Sequence, residues 1–175
     1  MEIAELKQVI RDIPDFPSPG ILFKDITPLL QDPVAMSAAV RGLSEISKSY
    51  DVVAGVEARG FIFGAAIAQL AHKGFVPIRK SGKLPYSSYS ESYALEYGES
   101  TLQIHTDSIK PGQRVLIVDD VLATGGTLTA AIKLVERCGG VVDCLAVLIE
   151  IAGLGGAANL TSAYPEIGLQ VLISE

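Results

Sequence analysis

Two adjacent carboxylates, Asp119 and Asp120, stand between an apolar run, Val115–Val118, and a loop of small residues, Ala123, Thr124, Gly125, Gly126 and Thr127. A glycine-rich turn that opens a helix offers bare backbone N–H groups and the positive end of the helix dipole to a phosphate. Thr124 and Thr127 can add hydroxyl donors, and two acids just before the cradle can accept hydrogen bonds from two vicinal hydroxyls. The ligand that fits both halves is a ribose 5-phosphate, with its phosphate in the loop and its 2- and 3-hydroxyls on the acids. Other readings stay open: a Walker-B-like metal strand, or a structural turn with solvated acids. The Walker reading needs a G-x-x-x-x-G-K-[ST] loop, which the chain lacks.

Other residues could serve such a site. Arg59 follows an apolar segment and precedes Gly60, where a cation can hold an anionic group. Arg79, Lys80 and Lys83 form a basic cluster, either a solvated face or an entry for a polyanion. His72 and His105 stand alone and read as structural. Gly153–Ala158 mimics the dinucleotide pattern G-x-G-x-x-A, but too little chain follows for the βαβ unit and its acidic partner. Cys138 and Cys144 are in no metal or redox spacing and read as reduced core thiols.

The elements that must position these residues alternate. Apolar spacing at Ile3, Leu6, Val9 and Ile10 predicts a helix over 2–11, which Pro14, Pro17, Pro19 and Gly20 then stop. Asp32-Pro33 starts a second helix, running to about Ser49. Asp51–Gly55 reads as a strand, Gly60–His72 as a helix, Gly74–Arg79 as a strand and Gln113–Asp119 as a strand covered on both faces. Thr124–Cys138 is its following helix and Val141–Glu150 a fourth strand. The expected class is α/β, a mostly parallel sheet flanked by helices in one domain over 1–175. Residues 80–105 break the rhythm and read as an inserted loop and hairpin. Within them, 81–98 carries Tyr86, Tyr89, Tyr93 and Tyr97. That segment reads as a lid, or, since Tyr89, Tyr93 and Tyr97 are four apart, as an ordered amphipathic helix.

Net charge is −6, which argues against nucleic acid as a partner. No apolar stretch approaches the ~18 residues of a spanning helix, so no membrane partner is expected. The acidic start lacks the pattern of a secretory signal, and with reduced thiols this leads to a cytoplasmic expectation.

The run VLIVDDVLATGGT resembles the 5-phosphoribosyl-1-pyrophosphate (PRPP) signature of the type I phosphoribosyltransferases. Phe16–Leu30 (FPSPGILFKDITPLL) is similar to the base-recognition segment of the adenine-specific branch. Gly55–Gly64 resembles its pyrophosphate loop, and Ile78–Pro85 with Ser92–Gly98 its mobile hood. The resemblance runs in order from about residue 14 onward. It implies transfer of phosphoribosyl from PRPP to adenine, with Mg²⁺ carried largely by PRPP and no dedicated protein metal site, in a homodimer. Substrate contacts would be Leu22, Phe23, Lys24, Arg59, Arg79, Lys83, Tyr97, Asp119, Asp120, Ala123, Thr124, Gly125, Gly126 and Thr127, with Glu96, Asp119 and Arg59 catalytic. Leu22 would present backbone groups to adenine, Phe23 would stack on it, and Glu96 would take its proton. Read from sequence alone, Leu22 and Phe23 fit plain core packing. Lys24 departs from the arginine of many relatives, losing the planar fork. The resemblance also implies a cis peptide at Glu57–Ala58. A regulatory nucleotide binder on the same fold is the rival of another class; retained Arg59, Lys83 and Glu96 argue against it.

Overall fold

Runs of consecutive apolar residues build strands buried on both faces, and these form the centre of the protein. The computed structural model describes residues 1–46, 49–94 and 99–175. Four strands, β3 (Val52–Val56), β4 (Gly74–Lys80), β7 (Arg114–Leu122) and β8 (Val141–Glu150), correspond to the runs singled out by sequence. Two more, β5 (Ser88–Ala94) and β6 (Glu99–His105), form the expected hairpin, and β9 (Gly168–Ser174) adds an edge that the sequence reading omitted. The seven-stranded order is β5-β6-β4-β3-β7-β8-β9. Pairing is parallel from β4 through β9, whereas β6 is antiparallel to both β4 and β5.

Helices cover both faces. Asp32 caps α2 (Pro33–Ser44) by accepting from the amides of Val34 and Ala35. The chain also forms α3 (Gly60–Leu70), α4 (Gly126–Arg137) and α5 (Gly156–Ala163). One buried cluster, with Ile117, Leu134 and Val147, lies on the α4 face; the other, with Leu43, Phe63 and Leu148, lies on the α2 and α3 face.

Departures from the sequence expectation are local. The N-terminal helix is a short 3-10 helix over Ile3–Val9, and Arg11 already belongs to β1 (Arg11–Pro14). That strand pairs antiparallel with β2 (Leu22–Asp25), forming a separate two-stranded ribbon, and a short helix α1 (Thr27–Gln31) follows. The helix begun at Pro33 ends at Ser44, before Ser49. Strand β7 does not stop at Asp119 but runs on to Leu122, because β8 supplies register partners as far as Glu150. Tyr89 and Tyr93 stand on a strand, so the amphipathic-helix alternative does not hold there.

Candidate active site

The sheet has a switch point at its centre. From β3 the chain crosses to β4 on one side, and from β7 it crosses to β8 on the other. In open α/β sheets ligands bind in the crevice where the connections diverge, beyond the carboxyl ends of the strands. Here that crevice lies between the turn Glu57–Gly60 and the loop after β7. An ion pair spans it: Arg59 Nε is 2.7 Å from Asp120 Oδ2. The contact is close in distance without being an aligned hydrogen bond, since the buried Oδ2 accepts none. Arg59 also donates to the carbonyl of Lys24 at 3.0 Å, and its guanidinium lies 4.8 Å from the centroid of Phe23. Phe16 meets Phe23 edge-on at 5.1 Å. The base-like segment, the turn after β3 and the acids of β7 therefore converge on one arginine.

Asp119 and Asp120 are both buried. Burial and the neighbouring Asp120 charge push the Asp119 carboxyl well above its usual range. Burial pushes Asp120 up as well, against the opposing pull of Arg59. Asp119 is held by close packing: a Cβ on Gly60 would lie 2.8 Å from the Val118 carbonyl and 3.0 Å from Asp119 Oδ1. Gly60 thus lets the start of α3 approach β7 closely enough to flank the acids.

The loop beyond them has Gly125 in the left-handed region at φ 94°, and α4 starts at Gly126 rather than at Thr124. The left-handed turn, which glycine adopts freely, separates Thr124 from the helix and turns the chain into the α4 N-terminus. Val121–Leu128, with Pro17, Ile21, Tyr93 and Ala94, line a cavity of ≈ 380 Å³. Ala123, Thr124, Gly125, Gly126 and Thr127 are all on its wall. The strand β5 closes one side, since a Cβ on Gly126 would meet the Ala94 carbonyl at 3.1 Å. On the other side α5 backs the loop: Asn159 donates to the Thr124 carbonyl at 3.1 Å, and Gly156 packs directly on the Ala123 carbonyl. Of the glycines in the decoy segment, Gly156 thus serves close backbone approach, while Gly155 takes a left-handed turn at φ 70°. Ile21, Leu22 and Ala123 share a second cavity of ≈ 490 Å³ with Ile151 and Leu154.

The basic cluster is gathered, but onto a protein carboxylate. Lys83 Nζ lies 2.5 Å from Glu57 Oε1, Arg79 Nε lies 3.2 Å from Oε2, and the Lys80 amide donates to Oε2 at 3.0 Å. Burial alone would raise the Glu57 carboxyl, but Lys83, the Lys80 amide and Arg79 outweigh it and hold it at about 2. The Glu57–Ala58 peptide is cis, as the resemblance implies. Lys24 is buried, with its ammonium paired to Asp12 at 2.8 Å and to Glu175, so its backbone carbonyl, not its charge, faces Arg59. Glu57, Asn159 and Glu175 escaped sequence reasoning, because their partners lie at least 22 residues away or on another element. The one local signal near them was Gly156, inside the segment read as a dinucleotide mimic, whose lack of a side chain allows the approach to Ala123. Glu96 and Tyr97 lie outside the described residues. Among the described residues no group of three metal-ligating side chains occurs, and no helix is long and apolar enough to cross a membrane.

The family model of the phosphoribosyl transferase domain matches residues 29–156. With the switch-point crevice and its paired acids, that match defines the class: a type I phosphoribosyltransferase. An adenine phosphoribosyltransferase from Rhodopirellula baltica is 54% identical over 159 residues, covering 90% of this chain and 77% of that one. Another from Parvibaculum lavamentivorans is 51% identical over 165 residues, covering 93% and 94%. The crystal structure of adenine phosphoribosyltransferase from Rhodothermus marinus has a TM-score of 0.92 at 48% identity, covering 99% of this chain and 98% of that one. That of the Giardia lamblia enzyme complexed with 9-deazaadenine has a TM-score of 0.93 at 37% identity, covering 100% and 98%. The chain belongs to the adenine phosphoribosyltransferase family.

Proposed function

We propose that this protein transfers the 5-phosphoribosyl group of PRPP to adenine, giving AMP and pyrophosphate, a purine salvage reaction. The observation that carries the reading is the convergence on Arg59 of Asp120, the Lys24 carbonyl and the Phe23 ring at the switch point. Asp119 and Asp120 receive the ribose 2- and 3-hydroxyls, and the loop Ala123–Thr127 receives the 5-phosphate. The C1–oxygen bond to pyrophosphate breaks as adenine N9 bonds C1 from the opposite face. The departing pyrophosphate is held by the remaining N–H groups of Arg59, with Arg79 and Lys83 exchanging Glu57 for it. The cation-like ribose is stabilised chiefly by position and charge. Leu22 offers backbone groups to the base and Phe23 flanks it, while Glu96, on the imidazole side, accepts a proton from adenine as the bond to ribose forms, and Tyr97 covers the site.

Mg²⁺ enters as part of the PRPP complex. Two carboxylates at the ribose site, one already facing Arg59, suit a cation that keeps waters and substrate oxygens, rather than an all-protein cage. The whole chain acts as one domain, with the insertion at about 80–105 as its hood. We place the protein in the cytoplasm as a homodimer, on family resemblance.

The test is to incubate the protein with PRPP, Mg²⁺ and each purine base and identify the nucleotide formed. AMP is expected, with guanine and hypoxanthine turned over about 10⁴-fold less efficiently, as sites that hydrogen-bond a particular edge achieve. Comparable turnover of either would remove the adenine assignment.

A further inference from the structure

The ribbon β1–β2 carries the base segment, yet it shares no strand pairing with the seven-stranded sheet. Among the described residues, two side chains from elsewhere make its polar attachments, beside the apolar anchoring of Ile26 that follows β2. One is Arg59, which donates to the Lys24 carbonyl and lies over Phe23. The other is Glu175, immediately after β9, whose carboxylate pairs with the Lys24 ammonium. The two grip opposite ends of one residue. Lys24 is only 9% exposed, and its second carboxylate, Asp12, belongs to the ribbon itself, being its register partner across β1. Asp12 therefore stiffens the ribbon without fixing it to anything else.

Glu175 is itself anchored. Its amide donates to the Glu150 carbonyl at 2.9 Å, and its carbonyl accepts from the Ala152 amide at 2.6 Å. It thereby sits at the turn 150–154 that lines the Leu22 cavity together with Ala123. A second cation, Lys7, lies 3.3 Å from its other oxygen. Glu175 is not among the residues that line the cavity of the phosphate loop.

We propose that Glu175 is a positioning residue for base recognition: through the buried Lys24 ammonium it holds β2 so that the Leu22 backbone meets the base edge. The inference rests on the adenine reading above. A buried ammonium that loses one of two carboxylates is drawn toward the other, here outward to Asp12, whose side chain is 54% exposed. Such a shift moves the base segment and leaves the phosphate loop, held by α4 and α5, where it is.

The experiment measures initial rates of AMP formation by the full chain, varying adenine and PRPP separately. Glu175→Gln should raise the KM for adenine on the order of tenfold, the scale of a sub-ångström misplacement, with the KM for PRPP changed less than about twofold. Glu175→Asp, which keeps the charge, should recover part of the adenine effect. The double variant Lys24→Met with Glu175→Gln leaves no unpaired buried ammonium and keeps the measurement possible if the single variant folds poorly. Its adenine KM should also rise above the parent's, since the tether from Glu175 is absent there too, and an unchanged value would count against the proposal. An adenine KM unchanged in a folded Glu175→Gln protein, or both KM values rising together, would overturn the proposal. Failure of the parent protein to form AMP would instead remove the adenine reading itself.

Discussion

The two walls of the crevice are built in different ways. The phosphate-side wall, from Val118 through Gly126, is backbone packed on backbone. Gly60 abuts the Val118 carbonyl, Gly156 the Ala123 carbonyl, and the Ala94 carbonyl covers Gly126. The base-side wall is a two-stranded ribbon tethered by charge, with Lys24 between Asp12 and Glu175 and Arg59 between Lys24 and Asp120. A wall whose tightest contacts are made at backbone carbonyls has little slack, whereas a tethered ribbon can shift until its ion pairs stop it. The difference matches the tasks: a phosphate needs a fixed nest of N–H groups, and a flat base needs a segment that can settle on it.

The comparison can be tested at Gly60 first, where the largest effect is expected. In Gly60→Ala the new methyl would meet the Val118 carbonyl and displace Asp119. Overpacking of this kind costs about 1–3 kcal/mol of stability, and misplacing a reacting group can lower kcat/KM on the order of 10²-fold. Thermal melts and steady-state rates read both. A fully active Gly60→Ala protein would mean that this wall is as yielding as the other.

Asp119→Asn separates stability from function. Among the described residues no cation forms an ion pair with Asp119, since Arg59 faces Asp120 and opposes the rise at Asp119 only as the last of its causes. Burial and the Asp120 charge raise its folded pKa, so the folded state holds the proton more tightly than the unfolded one. The stability this contributes is present at low pH and is lost as pH rises through the folded pKa. Asn removes the charge, so the variant should melt higher than the parent near neutral pH and lose that advantage in acid. Its kcat/KM should fall by about 1.5–3 kcal/mol of lost charge-assisted hydrogen bonding to the ribose. Glu57 behaves oppositely. Held at about 2 against an ordinary 4.5, it contributes stability above its ordinary value that is lost as pH falls toward 2. A melting temperature for Asp119→Asn below the parent's at neutral pH would contradict the account.

The smallest effect belongs to the ribbon's surface. Leu22 is half exposed, and its assigned contact is through the backbone. Leu22→Ala should therefore change kcat/KM for adenine by no more than about 0.5 kcal/mol, roughly twofold. A large loss would show that the side chain, not the backbone, meets the base.

The same contrast explains what could be read from sequence. The phosphate-side wall was legible because its determinants are contiguous: an apolar run, two acids and a glycine loop over Val115–Thr127. The strands β3, β4, β7 and β8 were legible for the same reason, as continuous apolar runs. The ribbon was not, because β1 and β2 have four residues each and exist only through pairing with one another. Lys24 was legible as a cation near the base segment, but Asp12 and Glu175 as its partners were not. Tertiary pairing decides such contacts, and no local period announces them. The hood was legible as an interruption. Its β5 is paired along its length with β6 and fastened to α4 by Lys133–Glu91 at 3.0 Å. Residues 88–94 of the segment read as a lid are therefore part of the sheet.

The involvement of Glu175 has a consequence for how the molecule is made. The crevice draws on residues near 12, 24, 57, 120, 156 and 175, almost the full span of the chain, joined through parallel strands that need long crossovers. Contacts of that separation form late, because loop closure must precede them. A chain emerging from synthesis can assemble β3, β4 and β7 with their acids before β9 exists, so PRPP binding should appear during refolding earlier than a well-formed base site. Recovery of adenine affinity therefore reports the closing step of folding, and recovery of phosphate binding an earlier one.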